Sequence, residues 1–189
     1  MTSPMDDAQR AAWNKLNRLM LSGRDFQQAL SAATFLYEEM DDARGLPALR
    51  RLRCFETNMV VSYARPFSQA HGSVKPLKLS DIDLEMKAGW QEMHERLIRL
   101  RNKLFAHSDA DIVPMSVTVL NTIMGDGRPD FPFVMPRFDE GLSFTDKEVW
   151  LIQDLCRHAI HAVLERTQEL GIDFKDRFHI HDIDLGRSD

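Results

Sequence analysis

Histidine is the side chain best suited to moving protons near neutral pH, and one of the seven here, His107 in LRNKLFAHSD (residues 100–109), follows an arginine and an asparagine closely. Arg101 can grip an oxyanion through its forked guanidinium, Asn102 can orient a neighbour by hydrogen bonding, and His107 can serve as acid or base. The spacing alone says little. Seventeen arginines and seven histidines give about 0.6 Arg-x5-His matches by chance, and Arg65 with His71 is a second instance, in a loop after Pro66. Two further conditions, a polar residue after the arginine and a place at the end of an amphipathic helix, are met only at Arg101. A second constellation, Asp154, His158, His161 and Glu165, falls on one helical stripe with spacing that suits a transition metal. The same four residues also make a solvated face opposite a clear apolar stripe, which is the preferred reading. His179 and His181 near the end of the chain are a bare alternating pair. There is no glycine-rich phosphate loop, Ser/His/Asp arrangement or zinc-knuckle pattern, so no cofactor and no metal is expected.

Helical periodicity must position these groups. Two helices, over residues 6–21 and from Asp25 to about residue 43, are predicted with a break at Gly23; Trp13, Leu16, Leu19 and Met20, then Phe26, Leu30, Ala33, Tyr37 and Met40, should face inward. Gly45 and Pro47 precede a helix carrying Leu49, Leu52, Met59 and Tyr63, which Pro66 ends. Ser80 with Asp83 reads as the cap of a long helix over 81–108. Its inward stripe is Met86, Trp90, Met93, Leu97, Leu100, Leu104 and His107, so a core stripe ends on a titratable group. Residues 115–135 alternate and hold a GDGRPD turn, hence a β-hairpin or ordered loop within an insertion at 109–144. Thr145 with Glu148 forms a capping box and Phe144 with Val149 a hydrophobic staple; the last helix then buries Val149, Ile152, Cys156, Ala159, Val163 and Leu170 and stops at Gly171. Residues 172–189 read as a peripheral tail. The expected fold class is all-α: one domain, residues 1–189, a four- to five-helix bundle with its core at about 25–170.

Bulk composition narrows the partners. A net charge of -5 gives no overall attraction for nucleic acid, so any such binding must rest on a local basic patch. Cys54 and Cys156 lack ligand spacing, and no apolar run of signal or membrane-span length occurs, so a cytoplasmic protein without a membrane partner is expected.

Arg101, Asn102 and His107, at the end of a long bundle helix, resemble the signature of the HEPN superfamily, and YARPFS, residues 63–68, looks like a segment of bacterial members related to abortive-infection proteins. The resemblance implies a HEPN-like bundle and a metal-independent endoribonuclease of a defence or toxin-like system, with RNA as partner and an antitoxin protein as a further one. In that chemistry the RNA 2′-hydroxyl attacks its own phosphate. Attack needs a base for the 2′-hydroxyl and an acid for the leaving oxygen, roles histidine can fill, while arginine holds the phosphate oxygens. One histidine per chain leaves one role open, and a homodimer would supply two of each residue. The alternative is a non-catalytic HEPN-like module that binds a nucleotide, RNA or protein.

Helical geometry adds a constraint. Six residues at about 100° each leave Arg101 and His107 roughly 120° apart on a continuous helix. Either the helix loosens before His107 or a second chain completes the site. The stripe His94, Ile98, Arg101, Phe105 reads as the exposed dimer face. Tyr63 and Arg65 read first as structural, Arg65 pairing with an acid near Asp109, and second, with His94, as ligand contacts. The bland reading of His107 is a packed histidine bonded to the helix C-terminus or Asp109.

Overall fold

A computed structural model describes residues 5–41, 44–69, 75–105, 115–122, 131–138 and 141–177. Among these residues the chain forms four α-helices and one antiparallel hairpin that precedes the last helix. None of the described helices is long and apolar enough to cross a membrane.

Helix α1 spans Asp7–Glu39, where two helices are expected from the sequence. Asp6 is its N-cap: the carboxylate accepts from Gln9 N at 2.7 Å and the Gln9 side chain accepts from Asp6 N at 3.2 Å. Asp25, read as a second cap, is instead buried inside the helix. Gly23 stays helical, and a Cβ there would lie 3.4 Å from Val163 Cγ1. That is ordinary contact distance, and the propensity cost of a helical glycine, about 1 kcal/mol, is offset by the packing of α1 on α2 and α4. Leu16 and Leu19 are fully buried, so the core begins well before residue 25. Met20 and Tyr37, expected inward, are exposed. The unbroken helix keeps one phase throughout, and they fall outside its buried stripe.

Helix α2 spans Gly45–Ala64, with Leu52, Met59 and Tyr63 buried as expected, and gives way to a short turn at Arg65–Phe67 containing Pro66. The long helix expected over 81–108 does not form. Its apolar spacing belongs instead to a 3-10 turn, Leu79–Asp81, then irregular chain, then α3, Trp90–Leu100, then a wide π turn, Arg101–Phe105. The cause is local. Asp83 sits at φ 47 and Gly89 at φ +84, both left-handed, so helix cannot start before Trp90. The proposed cap is replaced by Asp81 Oδ2, which accepts from Lys78 N at 2.9 Å. Leu84 and Met86 still pack on the core, but from irregular backbone.

Strands β1, Met115–Thr122, and β2, Phe131–Phe138, pair antiparallel with Val119 opposite Val134. Pro132 and Pro136 are tolerated because every strand of a two-stranded sheet has an open edge. Helix α4 spans Asp146–Gly171 and begins with the expected capping box at Thr145; Phe144 and Val149 are both buried at the staple positions. Gly171 does not stop the chain, which continues in a 3-10 turn, Ile172–Arg177. Phe174 there is buried with its ring edge-on to Trp13, centroids 5.3 Å apart, so the start of the expected tail belongs to the bundle. Helix α1 packs lengthwise on α2 and α4, while α3 touches both α2 and α4.

Candidate functional site

Helix α3 presents Trp90, Met93 and Leu97 to the core, and the neighbouring stripe carries His94, Ile98 and Arg101. Because α3 lies beside α2, the start of that stripe is covered by α2 and the turn after it. His94 Nδ1 lies 2.9 Å from the Tyr63 hydroxyl, and its ring stands edge-on to Phe67 with centroids 4.7 Å apart. Burial pulls the His94 pKa below the ordinary histidine value, with Glu95 opposing weakly, and burial raises the Tyr63 phenol well above its own. The neutral forms are therefore favoured at both groups. Tyr63 and His94, predicted as ligand contacts, are brought together, yet by packing within one chain. Ile98, expected to be exposed, is half-buried.

Arg65 is directed elsewhere. Its Nη1 donates to Asp25 Oδ1 at 2.6 Å, joining the Arg65–Phe67 turn to α1. The carboxylate is buried and the guanidinium half exposed. This partner lies forty residues upstream and is brought across the bundle by α1, while the region of Asp109, named from the sequence as a source of the partner, lies outside the described residues.

At Arg101 the helix widens into the π turn, which accommodates one extra residue. Such turns are frequent at functional sites. Arg101 is half-buried and Asn102 exposed; Arg101 Nη1 donates to Asn102 Oδ1 at 3.0 Å. Among the described residues no carboxylate pairs with Arg101. The helix loosens at Arg101, but on a helix continued to His107 one extra residue would move the separation from roughly 120° to about 140°, away from convergence. Convergence within one chain therefore requires departure from the helix before His107. His107 lies outside the described residues, as do the side chains of Leu104 and Phe105 and the pair His179 and His181.

The stripe on α4 resolves into pairs. His158 Nδ1 sits 3.4 Å from Asp154 Oδ1 and 2.9 Å from the Asp154 carbonyl, while His161 Nδ1 sits 3.3 Å from Glu165 Oε2. His158 Nε2 is 3.1 Å from Lys87 Nζ, and the His158 ring lies against Trp90. Among the described residues no three His, Cys, Asp or Glu side chains gather at metal-binding distance.

Glu56 and Arg96 went unread in the sequence. Glu56 is fully buried and accepts from Ser143 N at 2.6 Å and Phe144 N at 3.2 Å, while the Ser143 hydroxyl lies 3.3 Å away. Arg96 donates to Glu148 and to the Ser143 carbonyl and lies over the Phe144 ring. Together they clamp the chain that leads into α4. An acid at the i+4 position from Leu52, within an apolar stripe that continues to Met59 and Tyr63, was the available signal for Glu56. Comparison of the chain with family models, with curated proteins and with solved structures finds no match.

Proposed function

We propose that this chain is a metal-independent endoribonuclease of HEPN type, its helices forming a HEPN bundle and its site assembled from the Arg101, Asn102 and His107 motifs of two copies. The observation that carries the reading is the Arg101–Asn102 pair on the wide π turn: a guanidinium without a carboxylate partner among the described residues, held by the next side chain. A cation left unneutralised at a widened helical turn is suited to a phosphate. In the proposed step one His107 takes the proton of the 2′-hydroxyl as its oxygen bonds to phosphorus, the other protonates the departing 5′-oxygen, and the two arginines hold the phosphate oxygens. The products are a 2′,3′-cyclic phosphate and a free 5′-hydroxyl. On a continuous helix Arg101 and His107 would stand roughly 120–140° apart, a separation that a site completed by a second copy does not need to close. With His94 and Ile98 already partly covered, the contact between copies centres on the Arg101 end of the stripe.

The test is cleavage of a mixed single-stranded RNA in the presence of a chelator, read for 2′,3′-cyclic ends and paired with denaturant unfolding. His107→Ala and Arg101→Ala should each lower cleavage by ~10²-fold or more with little change in stability, the usual effect of losing a positioned proton-transfer or charge-stabilising group. Undiminished cleavage by folded His107→Ala, or a persistent monomer in sedimentation at micromolar concentration, overturns the composite site. Cleavage by none of the three proteins points to a binding module.

A further inference from the structure

A cavity of about 350 Å³ opens between the N-terminal half of α1 and residues 75–81, and none of its lining residues belongs to the Arg101–Phe105 turn. Among the described residues four cations line it, Lys15, Arg18, Lys75 and Lys78, against one carboxylate, Asp81. Three positive charges in excess at one cavity stand out on a chain whose net charge is -5. The walls are built rather than incidental. Arg18 is only 8% exposed, and its Nε donates to the Lys75 carbonyl at 2.8 Å, which fastens the 75–78 segment to α1. Asp81 braces the opposite side: Oδ2 accepts from Lys78 N, and Oδ1 lies 3.5 Å from Lys15 Nζ. Leu77 N donates to the Pro66 carbonyl at 2.8 Å, so the same wall is tied to the Arg65–Phe67 turn. Pro76, half-buried, and Ala11, exposed, add apolar surface beside the cations, with Leu77 behind them in the core.

We propose that this cavity binds a nucleoside phosphate, the cations taking the phosphate and the apolar wall taking the base. Its volume falls in the range of small-molecule sites, and its mixture of apolar wall with a few convergent charges is what such a ligand needs. Lysine and arginine around a phosphate give charge-assisted hydrogen bonds, and a flat base gains by covering Pro76 and Ala11. An acidic peptide would present its charge on extended chain and leave the enclosed apolar wall unfilled. The site stands apart from the Arg101–His107 reading and holds whether or not RNA is cleaved.

The intact chain is titrated with AMP by calorimetry at low salt, beside Lys75→Glu/Lys78→Glu, Lys15→Gln/Lys78→Gln and, as a control distant from the cavity, Arg51→Gln. Lys75 and Lys78 are exposed, so the first variant should keep its fold, checked by circular dichroism. Saturable AMP binding, weakened ~10-fold or more in both double variants and unchanged in Arg51→Gln, is the expected result, each charge-assisted bond being worth that order. Displacement of AMP by a 5′-phosphorylated tetraribonucleotide but not by its 5′-hydroxyl form assigns the site to a strand end. Displacement by neither assigns it to a free nucleotide, and both results keep the site. Absence of saturable AMP binding, affinity unaltered in both double variants, or inorganic phosphate binding as tightly as AMP overturns the proposal.

Discussion

Two buried carboxylates hold two connecting segments to the bundle, and they do so by different physics. Asp25 answers Arg65, a formal charge whose guanidinium is half in water. Glu56 answers two backbone amides and lies beside a hydroxyl, in a place with no exposed surface. At Glu56 burial raises the carboxyl pKa, and the Ser143 amide, the nearby Arg53 charge, the Ser143 hydroxyl and the Phe144 amide each oppose that rise without cancelling it. At Asp25 the partner can reach solvent when the pair opens, whereas the amides beneath Glu56 cannot follow. The difference teaches that the stiffer anchor of the two is the one made of neutral donors, because losing it strands backbone groups inside the protein.

The largest expected effect breaks the Glu56 clamp. Glu56→Ala leaves the Ser143 and Phe144 amides without their acceptor and opens a void beneath the α4 entrance, so unfolding by denaturant should show a loss of about 2–4 kcal/mol. A loss no larger than that of Arg65→Ala would reverse the ranking. Arg65→Ala should cost about 1–2 kcal/mol, because Asp25 is left buried without its cation, while exposure of the guanidinium screens much of what the pair was worth. Added salt should shrink that second difference and leave the first unchanged, which urea titrations at low and high ionic strength would read.

The smallest effect is in pH. Glu56 binds its proton more tightly folded than unfolded, so its contribution is complete below pH about 4.5 and is lost as pH rises through the folded value. His94 runs the other way: its folded pKa lies below the ordinary 6.5, so stability rises as pH climbs through the folded value towards 6.5 and declines on acidification. Stability profiles of Glu56→Gln and His94→Gln against the parent should therefore differ in slope with opposite sign. Slopes of the same sign would show that one of the two burials is misjudged.

The same contrast explains how much was legible beforehand. Thr145 with Glu148, Phe144 with Val149, and the stripes of α2 and α4 are set by contacts within a turn or two of helix, so spacing alone locates them. The hairpin was legible too, through alternation on either side of a turn-rich stretch. Gly23 and Ser80 misled because each was judged by its neighbours in sequence. The packing of α1 on α2 and α4 carries helix through Gly23, and the left-handed backbone at Asp83 and Gly89 postpones α3 to Trp90 although the apolar period runs on from Met86.

By itself the sequence determined the helical class, the hairpin before the last helix, the cap of α4 and the adjacency of Arg101 and Asn102, since all of these follow from periods and pairs a few residues long. Only the tertiary structure decided that Asp25 is a partner and not a cap, that Tyr63 and Phe67 enclose His94, that Glu56 is an anchor, and that Lys15 and Arg18 meet Lys75 and Lys78 around one cavity. Those pairings join residues 27 to 87 positions apart for the first three, and about sixty apart across the cavity. Which polar group lies opposite which, at such distances, is set by how whole helices pack, and no local pattern of residues carries that information.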